Sequence, residues 1–138
     1  MVCMKQEPLP WNKLMIVDDD VDIVNSLKAL FEQQGFEVIT AENGRKCLLE
    51  LEKGFEGLIL LDLMMPELNG IETIKKMRID GFLETNMVIV LTVKRVQGEE
   101  INEIYPYIQD YITKPFDINM LLQTVKKNAQ RYAEERLR

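Results

Sequence analysis

Leu58-Ile59-Leu60-Leu61-Asp62 is the stretch on which the fold turns, four consecutive apolar residues closed by a carboxylate. Working outward, the same figure recurs at Leu14-Met15-Ile16-Val17, followed by Asp18, Asp19 and Asp20, and at Met87-Val88-Ile89-Val90-Leu91, followed by Thr92. Unbroken apolar runs of this length suit strands covered on both faces, whereas half-exposed strands alternate. Glu37-Val38-Ile39-Thr40 and the shorter Tyr111-Ile112-Thr113 add two further strand candidates.

The intervening segments read as helices. Residues 21–34 place Ile23, Val24, Leu27, Leu30 and Phe31 at helical spacing and stop at Gly35, a residue that commonly ends helices. Residues 44–53 repeat the pattern with Cys47, Leu48 and Leu51, and residues 71–79 with Ile74 and Met77. A short fourth helix over 99–105, with Ile101 and Ile104, runs into Pro106, which ends or kinks it. Asp117 is placed to cap a last helix reaching 138, with a stripe of Ile118, Leu121, Leu122 and Val125 continued by Ala129, Tyr132 and Ala133. Strands alternating with helices predict a parallel sheet with helices on both faces.

A chain of 138 residues has the size of one domain. Residues 1–12 read as a polar, proline-containing tail in which Trp11 packs on the body, and 13–138 as the domain itself. The composition, 46% hydrophobic and 29% charged, is that of an ordinary soluble protein. No apolar run approaches the roughly 20 residues of a spanning helix, and the N-terminus has no secretory pattern, so a cytoplasmic protein with no membrane contact is expected. The two cysteines, Cys3 and Cys47, are expected to be free thiols. A net charge of −6 and a pI of 4.8 argue against a nucleic-acid surface and suit a cation site.

In open α/β sheets reactive groups gather just past the carboxyl ends of the strands. Those positions here hold Asp18, Asp19 and Asp20 after the first strand, Asp62 after the third, Thr92 after the fourth and Lys114 after the fifth. Taken singly, each has a plain explanation: a solvated turn with a helix cap, a loop residue, a strand-end hydroxyl, a surface charge. Together they can bind one hard cation through oxygen and hold a phosphoryl group between that cation and a lysine.

The segments Met15-Ile16-Val17-Asp18-Asp19-Asp20, Leu60-Leu61-Asp62-Leu63-Met64-Met65-Pro66-Glu67-Leu68-Asn69-Gly70, Leu91-Thr92 and Tyr111-Ile112-Thr113-Lys114-Pro115-Phe116 resemble, in order and separation, the signature segments of response-regulator receiver domains of two-component systems. The resemblance spans about 13–128. It implies a flavodoxin-like (CheY-like) doubly wound sheet of five parallel strands in the order 2-1-3-4-5. It also implies roles: Asp62 as phosphoacceptor, Asp18 and Asp19 as the Mg²⁺-binding pair, Met64 as a metal ligand through its carbonyl, Lys114 as the phosphate-contacting amine, and Thr92 with Tyr111 as the switch pair. Such a protein takes its phosphoryl group from a sensor histidine kinase or a phosphotransfer protein. It catalyses only its own phosphorylation and dephosphorylation, and it signals through the face of helix four, strand five and helix five. A cis peptide between Lys114 and Pro115 is expected on the same grounds. The last-helix stripe through Ala129, Tyr132 and Ala133 runs beyond what one domain of this size needs to cover its sheet, so the face of helix four, strand five and helix five is also expected to serve as a partner or homodimer surface.

The chemistry is consistent with those roles. A carboxylate is a weak nucleophile, and Mg²⁺ can offset the repulsion between it and an incoming phosphate. Some positions depart from the family pattern: Val93 stands where a small residue is usual, Tyr107-Ile108 follow Pro106 where Gly-Ala is common, and Cys47 replaces a common alanine. Neither Met64 nor Lys94 offers a carboxylate or amide to orient a hydrolytic water, the Met64 thioether would shield an acyl phosphate, and Val93 adds bulk beside it, so a long-lived acyl phosphate is expected. Two other functions fit parts of the pattern. An aspartate-nucleophile phosphatase or phosphotransferase would use an Asp-x-Asp pair, a spacing present in Asp18-Asp19-Asp20. A receiver-like docking module would use the fold without phosphorylation.

Overall fold

The computed structural model describes residues 12–65, 68–92 and 99–136, with the side chains of Glu99 and Glu100 left aside. Five strands, β1 (Lys13–Val17), β2 (Glu37–Ala41), β3 (Leu58–Asp62), β4 (Met87–Thr92) and β5 (Ile108–Thr113), form one parallel sheet in the order β2-β1-β3-β4-β5. The predicted doubly wound architecture is therefore the observed one. Helices α1 (Val21–Gln33), α2 (Gly44–Glu52), α3 (Gly70–Ile79), α4 (Glu99–Ile104) and α5 (Ile118–Arg136) connect and cover the strands.

Side chains alternate across each strand, so the unbroken apolar runs feed two cores. Leu14, Ile16, Leu58, Leu60 and Ile89 point to the face covered by α1 and α5, where they meet Leu27, Phe31, Leu121 and Val125. Met15, Val17, Ile59, Leu61, Val88 and Val90 point to the opposite face, where they meet Cys47, Leu51, Ile74, Met77 and Ile104. All five residues of β3 are buried, as a central strand with helices on both sides requires.

Helix ends follow local chemistry. The Asp20 carboxylate accepts from the Asp22 and Ile23 amides and starts α1, while Asn69 and Glu72 form a reciprocal capping box at the start of α3. Asp117 caps α5 as expected, accepting from the Met120 amide at 3.0 Å. Asn12, read as the end of the tail, belongs to the body: its side chain donates to the Gly35 carbonyl at 3.0 Å and its own carbonyl accepts from Glu37. Trp11 lies outside the described residues.

The structure revises the sequence reading in three places. Helix α4 ends at Ile104, and Tyr105–Tyr107 form a 3-10 turn around Pro106, because proline cannot donate the amide that an α-helix needs there. Strand β5 starts at Ile108 rather than Tyr111, hidden in the sequence by a bulge: Val88 pairs with Ile108 but Ile89 pairs with Asp110, leaving Gln109 extra. The α5 stripe, read as overrunning the needs of one domain, is used inside the chain. Ala129, Tyr132 and Ala133 are buried, and the Tyr132 hydroxyl donates to the Thr85 carbonyl at 2.7 Å. The apolar case for a homodimer through helix four, strand five and helix five therefore loses those residues.

Cys47 is buried in α2 and is a free thiol. Burial, with a smaller contribution from the nearby Glu50 charge, pushes its pKa up from 9.0 to about 12. In a Cys3→Ser background, iodoacetamide at pH 8 is expected to leave the native protein unmodified and to add one carbamidomethyl group after denaturation, read by intact mass. Because the folded-state pKa is raised, this thiol's contribution to stability is intact below pH 9.0 and falls as pH climbs toward about 12.

Candidate functional site

Parallel strands end together, and the register aligns the residues that follow them. Val17 pairs with Leu61, Asp62 with Leu91, and Thr92 with Thr113. Asp18, Asp62, Thr92 and Lys114 therefore meet at one edge of the sheet. The Lys114 ammonium lies 2.7 Å from an Asp18 carboxylate oxygen and 3.5 Å from one of Asp62. Carboxylate oxygens of Asp18, Asp19 and Asp62 lie within 4.8 Å of one another. The residues singled out after strands one, three and five are thus brought together at one end of the sheet.

Burial and hydrogen bonding set the electrostatics. Asp18 is 2% exposed and Asp62 5%, while Asp19 is exposed at the rim. The second oxygen of Asp18 accepts from the Asp20 amide at 2.9 Å, and that of Asp62 from the Met64 amide at 2.9 Å. Burial raises the Asp62 pKa above its ordinary value, and the Asp18 charge adds to the rise, while the Met64 amide and Lys114 only partly oppose it. For Lys114, burial acts to lower the pKa, but the hydrogen bond to Asp18 and the charges of Asp18 and Asp62 prevail, leaving it raised. Three clustered carboxylates face one ammonium, an excess of negative charge that suits a divalent cation with oxygen ligands.

Thr92 is fully buried, and its hydroxyl oxygen has no hydrogen-bond partner among the described residues. Its backbone carbonyl accepts from the Lys114 amide at 2.6 Å, tying the ends of β4 and β5 together. An orphaned hydroxyl at the strand end next to the one that leads into Lys114 is a donor that a bound oxyanion could use. Tyr111 is half-buried on the α2, α3 and α4 side of β5, packed against that core. The Lys114–Pro115 peptide is cis, as expected.

Met64, expected to shield the acyl phosphate, is 59% exposed. Val93 and Lys94, the other residues behind that expectation, lie outside the described residues. Asp20 is turned away to cap α1, so the Asp18-x-Asp20 spacing does not deliver two carboxylates to one pocket.

Gly70 holds the β3–α3 loop close to Asp62. Its amide donates to the Leu63 carbonyl at 3.1 Å, and a Cβ placed there would meet the Asp62 carbonyl oxygen and Leu63 Cα, each at 2.6 Å. Those are backbone atoms and cannot rotate aside. Gly70→Ala is expected to destabilise the fold by about 1–3 kcal/mol, the usual range for overpacking, measured by urea unfolding.

Asp110 and Asn128 were not singled out in the sequence. Asn128 is fully buried on α5, and its amide donates to Asp110 Oδ2 at 3.0 Å and to the Thr124 carbonyl at 2.8 Å. The signal was available: Asn128 falls seven residues after Leu121 and three after Val125, on the buried face of an amphipathic helix.

The fold and pocket together place the chain among doubly wound α/β domains that gather charge at their strand ends. The model of the response regulator receiver domain matches residues 14–126, and the chain belongs to that family. It is 37% identical over 125 residues to the transcriptional regulatory protein CpxR homolog of Haemophilus influenzae, a match covering 88% of this chain and 52% of the relative. The chain thus spans about half the length of the curated relatives it matches. A CheY-like receiver domain protein from Methanospirillum hungatei superimposes with a TM-score of 0.83 at 33% identity, covering 88% of this chain and 97% of the other. The response regulator TrrA of Thermotoga maritima, solved in complex with Mg²⁺ and BeF, gives a TM-score of 0.71 at 28% identity, covering 84% of this chain and 97% of that one. Among the described residues no helix is long and apolar enough to cross a membrane.

Proposed function

We propose that residues 13–138 act as a phosphoacceptor unit in which Asp62 receives the phosphoryl group. The observation that carries this reading is the Lys114 ammonium lying within reach of both Asp18 and Asp62, with the unpartnered Thr92 hydroxyl at the neighbouring strand end. A carboxylate oxygen of Asp62 attacks the phosphorus of a phosphohistidine on a sensor kinase or phosphotransfer protein. The phosphorus–nitrogen bond breaks, the imidazole leaves, and an acyl phosphate remains on Asp62. Lys114 neutralises one phosphoryl oxygen and the Thr92 hydroxyl donates to another. Asp18, Asp19, Asp62 and the Met64 carbonyl would hold Mg²⁺, whose charge offsets the repulsion between the carboxylate and the incoming phosphate.

Thr92 and Tyr111 form the switch. Drawing the Thr92 hydroxyl toward the phosphoryl group gives Tyr111 room to move inward, and the α4, β5 and α5 face reads out the change to a partner. The unit catalyses its own phosphorylation and dephosphorylation rather than turning over a free substrate, and works in the cytoplasm. A phosphatase reading is disfavoured by Asp20, whose carboxylate is engaged at the α1 cap. Intact mass after incubation with acetyl phosphate tests the reading: one added phosphoryl group is expected with Mg²⁺ and none with EDTA. Equal labelling in both arms, or none in either, would overturn it.

A further inference from the structure

The bulge in β5 decides which way its residues face. Ile108 and Tyr111 pack toward the α2, α3 and α4 side, while Ile112 joins the core beneath α1 and α5. An unbulged strand alternates strictly, so Ile108 and Tyr111, three apart, would face opposite ways. The extra residue, Gln109, restores Tyr111 to the α4 side and turns Asp110 toward α5.

Asp110 then does two things with one carboxylate. Its Oδ1 accepts from the Tyr111 amide at 2.9 Å, and its Oδ2 accepts from the buried Asn128 amide at 3.0 Å. Lys127 adds a longer, exposed contact at 3.7 Å. The orientation of the Asn128 amide is fixed by its neighbours, since Asp110 Oδ2 and the Thr124 carbonyl are both acceptors and only the amino group can meet them. Its carbonyl oxygen is left buried with no hydrogen-bond partner among the described residues. Leucine at this position would continue the apolar stripe without that penalty, so asparagine is an unfavourable choice for packing alone.

We propose that Asp110 and Asn128 are positioning residues that couple the Tyr111 backbone to helix α5, making α5 respond when the site at the end of β5 changes state. The proposal rests on the phosphoacceptor reading of Asp62. Displacement of the residue 111 backbone pulls on Asp110, and Asp110 pulls on Asn128, whose helix carries the motion toward Tyr132 and the far end of the sheet.

The test follows backbone amide resonances of the full chain on addition of Mg²⁺ and beryllofluoride, in wild type, Asn128→Leu and Asp110→Ala. In wild type, shifts are expected at Thr92 and Tyr111 and along residues 124–132. In both variants the shifts at Thr92 and Tyr111 persist while those along 124–132 are lost, and Asn128→Leu keeps a thermal midpoint no lower than wild type. A purely structural role would lower the midpoint and leave the α5 response in place. Unchanged α5 shifts in the variants, or a wild type in which only Thr92 and Tyr111 shift, overturn the coupling alone. A wild type with no shift at Thr92 overturns the phosphoacceptor reading and the coupling with it.

Discussion

Asp62→Asn is expected to lose phosphorylation altogether while gaining stability near neutral pH. An amide keeps the shape of the side chain but cannot form an acyl phosphate, so acetyl phosphate and Mg²⁺ should add no mass. The stability gain follows from the raised Asp62 pKa, caused first by burial and then by the Asp18 charge. A group whose folded-state pKa is raised contributes its full stability below the unfolded value, here 3.8, and loses it as pH rises through the folded value. At pH 7 the ionised carboxylate therefore weighs against folding, and removing it relieves that cost. Lys114 keeps its closer partner, Asp18, at 2.7 Å. Thermal melts of both proteins from pH 3 to 8 should show the variant ahead at pH 7 and the gap closing in acid. A variant that still gains phosphoryl mass would remove Asp62 from its role. A variant less stable at pH 7 would show that the Asp62–Lys114 contact outweighs burial.

Lys114→Met should slow transfer by about 10²–10³-fold, the loss typical of removing one preorganised charge-stabilising donor. It should also destabilise the metal-free fold by about 3 kcal/mol, because removing one partner leaves buried carboxylates uncompensated. Added Mg²⁺ should recover much of that stability in the variant, since a cation can take the ammonium's place between Asp18 and Asp62. Stopped-time intact-mass measurements give the transfer rate, and urea unfolding with and without Mg²⁺ gives the stability. A transfer rate equal to wild type would show that Lys114 serves only to balance Asp18 in the resting pocket.

The central strands were legible because burial on both faces leaves little freedom in composition. Leu58 to Leu61 and Met87 to Leu91 could hardly be half-exposed. Strand β5 was only half legible because its bulge breaks the alternation and places Gln109 and Asp110 among apolar neighbours. The end of α4 was foreshadowed by Pro106, although the exact stopping point depended on the 3-10 turn. In the pocket, residue identities could be read from their places after the strands, but partner choice could not. That Lys114 sits closer to Asp18 than to Asp62, and that Asp20 serves the helix instead of the pocket, depends on backbone angles in the loops. Asn128 escaped notice because a polar residue in an apolar stripe ordinarily marks the edge of the stripe, whereas here it lies at the centre.

Helix α5 covers strands laid down long before it. Leu58, Leu60, Met87 and Ile89 share one core with Leu121, Val125, Ala129 and Tyr132. During synthesis from the N-terminus, the opposite core has all of its covering helices once α4 and β5 have followed β4, but this one stays half open until residues 118–136 have emerged. Until α5 arrives, α1 alone shields that face, and the nascent chain keeps an oily strip of the sheet open to chaperones.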